Sequence, residues 1–277
     1  MDGKPAYTGA IDEQGKIVGK MPQYIYSTKT NEFEEVEDIS WAFCGNTCIT
    51  SIPEIPSTVT SLECQAFKGC TGLTSITIPA HIKNIDNDVF DGCSGLTSIN
   101  VENGNTVYDS RDNCNAVIET STNKLAIACK TTVIPTSVTS IGSSAFGSAG
   151  KELTSINIPT SITSIESWAF CGCTGLTSIN IPTSVTSIGS SAFRDCTGLT
   201  SINIPTSVTS IGSCAFDSCT GLTSINIPTS VTSMGEDVFA YWKSSQTINC
   251  QAPGKPSGWD YGWNSYCDAT ITWKVNM

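Results

Sequence analysis

The side chains best suited to metal binding or redox chemistry in this chain are its fourteen cysteines. Cysteines in CxxC pairs at finger spacing bind zinc, and cysteines brought close by folding form disulfides. The sequence contains no paired CxxC set at that spacing, and Cys171 and Cys173 stand too close together and lack partners. We therefore expect no metal site.

The sequence also offers few residues for acid–base or nucleophilic catalysis. The only histidine is His81, which follows a strand-ending proline and lies beside Lys83, a position suited to solvent. A nucleophile needs a nearby base, and no GxSxG, HExxH or phosphate-binding-loop signature is present. The sequence therefore predicts a protein that is not an enzyme and that has no cofactor.

Composition excludes further classes of function. The 277 residues are 39% apolar and only 14% charged, with a net charge of −11, and Ser and Thr make up about a quarter of them. Binding to nucleic acid needs clustered cations, so nucleic acid is a poor partner. No apolar run reaches 18 residues, and the N-terminus lacks a charged-then-apolar pattern. We therefore expect neither membrane insertion by this chain nor a signal peptide in it.

A 23-residue repeat organises most of the chain. The unit from Leu176 reads LTSINIPTSVTSIGSSAFRDCTG, and its apolar side chains are too few to offset the entropy of ordering one unit alone. Stacked units bury the missing area, which is how solenoids are stabilised. Further copies begin at Leu73, Leu96, Leu153, Leu199 and Leu222, looser ones at Ile49 and Cys129, and a strand-only half copy at Ser245.

Each unit contains two extended runs. Residues 178–181 alternate with period two, which predicts a strand with its isoleucines on one face, and Pro182 ends it. Residues 185–188 form a second short run, and residues 190–193 suggest a helical turn with a serine cap. Stacked first strands predict a parallel sheet of eight or nine strands.

The consensus LxxIxIPxxVxxIGxxAFxxC resembles the BspA-like leucine-rich repeats, over roughly residues 37–253. The resemblance implies a curved solenoid of the α/β horseshoe class, mostly β with short helical or 3-10 turns. It also implies a cell-surface or secreted protein of a host-associated microbe. The reported roles in that family are adhesion and binding to host or extracellular proteins, and the family offers no catalytic residues to transfer.

The non-repeating segments are predicted to be caps and an insertion. We expect an N-terminal β cap over residues 1–36, the solenoid over 37–253 and an aromatic C-terminal cap over 254–277. The acidic run near residues 32–38 is either a solvated face of the cap or a surface for a basic partner. The unit from Leu96 is ten residues longer than its neighbours, and its extra segment (about 102–128) predicts a β-hairpin. This insertion is either decorative or a binding protrusion.

Strand alternation places a row of uncharged polar side chains on the exposed face of the sheet. We call this row the strand-face stripe. The resemblance implies that this face is concave, and the stripe is interpreted either as a ligand face or as a merely solvated one. It comprises Ser75, Thr77, Ser98, Asn100, Ser155, Asn157, Ser178, Asn180, Ser201, Asn203, Ser224 and Asn226.

Four tryptophans are candidate aromatic contacts. Trp41 and Trp168 fill the same column of the repeat, where other units carry Ser or Gln. Trp259 and Trp263 lie in the C-terminal segment, where aromatic side chains either cover the open end of the core or form a platform that stacks on sugars.

Five cysteines share one column, three residues after the repeated phenylalanine. We interpret them as small buried side chains that pack against turn backbone, and we expect mostly free thiols because neighbouring side chains point in parallel. Cys114 with Cys129 and Cys250 with Cys267 are the pairs in which a bridge is conceivable. The column comprises Cys70, Cys93, Cys173, Cys196 and Cys219.

Two non-enzymatic functions remain open from the sequence. The first is a surface adhesion or recognition module, expected to be a monomer, whose partner is an extracellular protein or glycan. The second is a structural spacer or display scaffold in a larger surface or virion-tip assembly. The sequence does not identify the ligand.

Overall fold

The computed structural model describes residues 24–27, 32–35, 39–52, 54–63 and 65–274. Its helical elements are two short 3-10 turns, Arg111–Asn113 and Gly150–Glu152, and the remaining regular structure of this part is β-strand. The strands are two to five residues long. In order they are β1 Tyr24–Ser27, β2 Glu32–Glu35, β3 Ser61–Leu62, β4 Ser75–Ile78, β5 Asn84–Ile85, β6 Ser98–Val101, β7 Tyr108–Asp109, β8 Ala116–Glu119, β9 Lys124–Ala128, β10 Ser140–Ile141, β11 Ser164–Ile165, β12 Ser178–Asn180, β13 Ser187–Ile188, β14 Ser201–Asn203, β15 Ser210–Ile211, β16 Ser224–Ile227, β17 Ser233–Met234, β18 Thr247–Cys250 and β19 Thr270–Trp273.

Successive repeats stack as parallel turns of one solenoid. Equivalent residues pair in register, so that Ile179 lies against Ile202 and Ile188 lies against Ile211. An in-register stack keeps every apolar column continuous, because a shift by one residue would turn each strand's isoleucines toward solvent. The predicted leucine-rich repeat solenoid, mostly β with short 3-10 turns, is confirmed.

The longest sheet is built from the second extended run of the repeat. It has eight strands in the order β17-β15-β13-β11-β10-β9-β8-β7. The first strands, in which we expected the long sheet, form separate shorter sheets: β4 with β6, β12 with β14, and β16 with β18 and β19. The strands of the insertion join β10 and extend only the second-run sheet.

A column of phenylalanine rings forms the centre of the core. The rings stack nearly parallel from turn to turn, with centroids 4.7 to 5.9 Å apart. Backbone hydrogen bonds follow the same column, as where the Phe193 N–H donates to the Ala215 carbonyl at 2.9 Å. The stacked rings are Phe43, Phe67 and Phe90 in one run, and Phe146, Phe170, Phe193, Phe216 and Phe239 in the other.

The predicted hairpin lies between two parts of the core. Strands β8 and β9 pair antiparallel, as the sequence indicated. Val117 and Ile127 pack into the core of the N-terminal turns, whereas Ile118 and Leu125 pack into the core of the C-terminal turns. Both faces of this strand pair are buried, so the hairpin itself is neither decorative nor a protrusion. The exposed residues of the insertion are 102–104, 106, 112 and 113, together with 121 and 122 at the hairpin tip.

Threonine hydroxyls account for part of the Ser and Thr excess. In one column, Thr200 Oγ1 donates to the Thr177 carbonyl at 3.0 Å. In another, Thr186 Oγ1 donates to the Thr163 carbonyl at 3.3 Å. Each hydroxyl thus satisfies backbone of the preceding turn, so these positions are structural even though their side chains are exposed.

The two ends of the chain differ in what the structure describes. At the N-terminus, β1 and β2 pair antiparallel. The rest of the predicted cap over residues 1–36 lies outside the described residues, so that cap stays a prediction. At the C-terminus, residues 254–274 form one more turn, because β19 pairs parallel with β18 and Trp259 bridges Met234.

Candidate binding surface

The strand-face stripe is solvent-exposed along the solenoid. Its side chains alternate with buried isoleucines, as in β4, where Ser75 and Thr77 are exposed between Ile76 and Ile78. Eleven of its twelve residues are exposed, and Ser98 is half-buried. Ser155 and Asn157 lie in a segment without strand pairing, yet both are exposed.

Register turns the stripe into columns of like side chains. Ser178 pairs with Ser201, and Asn180 pairs with Asn203, so equivalent groups stand about one strand spacing, roughly 4.8 Å, apart. This arrangement presents regularly spaced hydroxyl and amide groups, which both donate and accept hydrogen bonds.

The stripe continues through residues that the sequence analysis missed. Asn249 Nδ2 donates to Asn226 Oδ1 at 3.1 Å, and Thr272 Oγ1 donates to Asn249 Oδ1 at 2.8 Å. The alternating pattern in TINC and TITW was the available signal. This end of the stripe is a hydrogen-bonded chain of side chains rather than a row of independent groups.

The chemistry available on the stripe is hydrogen bonding without charge. None of its twelve residues ionises near neutral pH. Among the described residues, no group of three or more His, Cys, Asp or Glu side chains is arranged to hold a metal ion. His81 is half-buried in the turn after β4.

A second polar surface lies along the second-run sheet. It is an open groove of about 800 Å³, lined by serines and glycines of β13, β15 and β17 and the residues that follow them. Glu236, Trp259 and Asp260 line its C-terminal end. The sequence gives no separate signal for this groove, because its serines read as residues of turns and strand ends.

The cysteine column has the predicted packing role. The thiol of Cys196 donates to the Phe170 carbonyl at 3.1 Å, and that of Cys219 donates to the Phe193 carbonyl at 3.0 Å. In the following turn, Trp242 takes the column and its indole Nε1 donates to the Phe216 carbonyl at 2.9 Å. Every described cysteine is a free thiol, including the two pairs considered for bridges.

Burial raises the pKa of three of the five column thiols, those of Cys173, Cys196 and Cys219. The pKa of Cys196 rises to about 12, chiefly by desolvation, and the pKa of Cys173 and of Cys219 lies well above the ordinary value of 9.0 for the same reason. The folded chain therefore holds these thiols protonated at pH values at which the unfolded chain ionises them.

We expect this difference to make stability fall with rising pH. The free energy of unfolding should be constant up to about pH 8 and should decrease as pH rises from 9 toward 12, by up to about 1.4 kcal/mol per pH unit for each such thiol. Urea unfolding between pH 7 and 10.5 measures it. Cys196→Ala should make the decrease less steep by the contribution of one thiol, and Cys48→Ala, at an exposed site, should leave it unchanged. An equal decrease in both variants would contradict the assignment.

The four candidate tryptophans divide into two groups. Trp41 and Trp168 are exposed, with 57% and 44% of their surface accessible. Trp259 and Trp263 are buried, at 3% and 4%, which corrects the prediction that they contact a ligand. They close the core instead: Trp259 Nε1 donates to the Val231 carbonyl at 2.9 Å, and the Trp263 ring packs edge-on against Phe239.

A sequence model of a protein family, the BspA type leucine rich repeat region, matches residues 27–137 and 117–246 and accounts for six copies of the repeat. No curated protein matches the chain. A leucine-rich repeat protein from Eubacterium ventriosum superimposes with a TM-score of 0.68 at 19% identity, covering 86% of this chain and 70% of that one.

Among the described residues, no helix has both the length and the apolar character needed to cross a bilayer.

Two similar structures are closer in sequence. A leucine-rich repeat protein from Bacteroides ovatus has a TM-score of 0.58 at 26% identity, covering 92% of this chain and 63% of that chain. A leucine rich cell surface protein from Faecalibacterium prausnitzii has a TM-score of 0.56 at 26% identity, covering 86% and 56%. The chain thus spans less than two thirds of the length of these two proteins.

Proposed function

The chain belongs to the BspA-type leucine-rich repeat family, and from that premise we propose that it is a non-enzymatic module of the microbial surface that binds an extracellular glycan or protein through the strand-face stripe. The family match and the resemblance to a cell-surface protein support the surface location. The repeat family and its fold support a binding or structural role rather than a catalytic one.

The observation that carries the proposal is the exposure, in register, of uncharged donors and acceptors along the stripe. Asn180 and Asn203 pair on adjacent strands, and each amide offers two donors and one acceptor. A polymer with regularly spaced hydroxyl or amide groups can bond to several turns at once. A glycan fits better than a folded protein, because the stripe lacks the aromatic and arginine anchors that dominate protein interfaces.

A glycan and extracellular-protein array tests the proposal with matched charge substitutions. The triple variant Asn157→Lys, Asn180→Lys and Asn203→Lys removes three amides from adjacent turns. We expect it to lose about tenfold or more of the wild-type affinity, since each hydrogen bond contributes about 0.5–1.5 kcal/mol.

The control places the same charges on the same turns outside the stripe. Thr160→Lys, Thr183→Lys and Thr206→Lys substitute exposed residues that follow the strands, and this variant should bind like the wild type. Equal loss in both triple variants would attribute the effect to charge alone. Absence of saturable binding by the wild type would refute the proposal and favour the spacer function.

A further inference from the structure

One pentapeptide occurs twice on the turns of the solenoid. The sequence Trp-Ala-Phe-Cys-Gly stands at residues 41–45 and again at residues 168–172. In both copies the tryptophan is exposed and has a left-handed backbone, with φ of 60° at Trp41 and 62° at Trp168. Bulky residues rarely adopt this conformation.

The next turn places a cation beside each copy. The Gly45 N–H donates to the Lys68 carbonyl at 2.7 Å, and the Gly172 N–H donates to the Arg194 carbonyl at 2.8 Å. Lys68 and Arg194 therefore occupy equivalent positions, one turn after the pentapeptide.

The turn after that supplies a carboxylate to each cation. Lys68 Nζ lies 3.0 Å from Asp91 Oδ2, and Arg194 Nε lies 3.1 Å from Asp217 Oδ2. The same constellation of tryptophan, cysteine, cation and carboxylate thus extends over three successive turns in two places. We call these the first turn patch (Trp41, Cys44, Lys68, Asp91) and the second turn patch (Trp168, Cys171, Arg194, Asp217).

Folding alone does not account for the two tryptophans. Other turns fill the same left-handed position with polar or small residues and not with aromatic ones: Gln65, Ser144, Ser191, Cys214 and Asp237. Because about half of each indole surface remains accessible, the rings gain little from burial while their backbone is strained. Strain of this kind concentrates at sites that contact ligands.

The charge of both patches favours a cationic partner. In the second turn patch, Arg194 faces two carboxylates, those of Asp217 and Asp195, the latter at 3.6 Å. In the first, the hydrogen bond to Asp91 and, to a smaller extent, the charge of Asp88 raise the pKa of the Lys68 ammonium group. Each patch as defined is neutral, and its neighbouring carboxylate, Asp88 or Asp195, gives the surrounding surface one excess negative charge, within a chain whose net charge is −11.

The exposed indole rings add a second attraction for cations. The Arg194 guanidinium carbon lies 5.8 Å from the centroid of the Trp168 ring, so this ring already accepts a cation on one face. The cations of arginine and lysine bind the ring face of tryptophan more strongly than that of tyrosine or phenylalanine. Tryptophan is also enriched among the residues that dominate protein interfaces.

The two patches are separated by a fixed distance along the solenoid. Trp41 and Trp168 are four turn spacings apart, with three turns between theirs, counted along the phenylalanine column. Turns three and four are directly joined, since the Gly92 N–H donates to the Gly147 carbonyl at 3.0 Å. At about 4.8 Å per turn, the separation is roughly 19 Å.

We propose that the two turn patches are equivalent binding sites that together bind one protein segment carrying two clusters of Lys and Arg side chains about 19 Å apart. This surface lies on the turns and not on the strand-face stripe, so the inference does not depend on the proposed glycan or protein ligand of the stripe.

Synthetic peptides test the inference directly. One peptide carries two Arg-Lys-Arg clusters joined by a Gly-Ser linker of about 12 residues, whose root-mean-square span is about 19 Å. A second carries one cluster, and a third carries glutamates in place of the cations. We expect the two-cluster peptide to bind the full chain at least about tenfold more tightly than the one-cluster peptide, and the acidic peptide not to bind.

Single substitutions then locate the sites. Trp41→Ser and Trp168→Ser introduce the residue that other turns accommodate at this position, and each should abolish the advantage of the two-cluster peptide. Tyr261→Ser changes an aromatic residue that is 95% exposed and lies outside both patches, and it should bind like the wild type. Circular dichroism melting verifies that all three variants are folded.

Three results would overturn the inference. They are equal affinity for the one- and two-cluster peptides, unchanged binding by the variant with both tryptophans replaced, and binding of the acidic peptide as tight as that of the basic one. If the double tryptophan variant instead loses binding to neutral glycans on the array and keeps binding to the peptides, the patches are carbohydrate sites and the protein partner is wrong.

Discussion

Replacing Phe193 with alanine should lower the free energy of unfolding by about 3–5 kcal/mol, one of the largest losses that a single substitution in this chain produces. The ring is completely buried and stacks on Phe170 at 5.3 Å and on Phe216 at 5.5 Å. Its removal leaves a cavity that the neighbouring turns cannot close, because each is held in register by backbone hydrogen bonds on both sides.

Urea unfolding followed by circular dichroism measures this loss. Thr206→Ala, at an exposed position of the next turn, is the control and should change stability by no more than about 0.5 kcal/mol. A loss below about 1 kcal/mol for Phe193→Ala would contradict the view that the phenylalanine column holds successive turns together.

Gly198→Ala should destabilise the chain by about 2 kcal/mol or more, although it adds one methyl group. A Cβ at Gly198 would overlap the carbonyl oxygen of Thr174 on the preceding turn. The overlapping atom belongs to the backbone and cannot rotate away, so the whole turn would have to shift. The glycine before the repeat's leucine is therefore required by the close approach of two turns.

The matched control is Gly254→Ala. Nothing lies within 4 Å of a Cβ at that position, so the substitution should leave stability within about 0.5 kcal/mol of the wild type or raise it slightly, since alanine restricts the unfolded chain. Parallel thermal and urea unfolding of the two variants provides the comparison. Similar stabilities would show that the turns are less closely packed than the structure indicates.

Much of this fold could be predicted because each sequence pattern that determines it recurs in several units of the repeat. The alternation at Ile179 and Ile181 indicated which strand face is buried, and the recurrence of cysteine three residues after phenylalanine indicated a packing column. A single copy of either pattern would have been ambiguous. Repetition at a fixed period removed the ambiguity, and the structure buries both columns.

Which strands pair with one another could not be predicted from the repeated pattern. Both extended runs of the unit have strand character, and which of them forms the long sheet depends on where the hairpin strands β8 and β9 join. A signal was nevertheless present, since Ala116, Val117 and Ile118 are three consecutive apolar residues. Such a run is typical of a strand buried on both faces, which is what the structure shows.

The aromatic residues show a second limit of sequence reasoning. Composition alone does not distinguish a tryptophan that closes a core from one that contacts a ligand. Trp259 is buried at the end of the column, where it bridges Met234, whereas Trp168 lies exposed on a turn. The duplicated pentapeptide is visible in the sequence, but the cations beside it become neighbours only through stacking.

The central claim, that the strand-face stripe is the binding surface, is tested most directly by carbene footprinting of side chains with and without the ligand identified on the array. We predict protection of Asn157, Asn180 and Asn203 in the complex, with unchanged labelling of the exposed Thr183 and Thr206 on the same turns. Protection confined to the hairpin tip, to the groove along the second-run sheet or to the turn patches, with the stripe labelled as in the free protein, would contradict the claim.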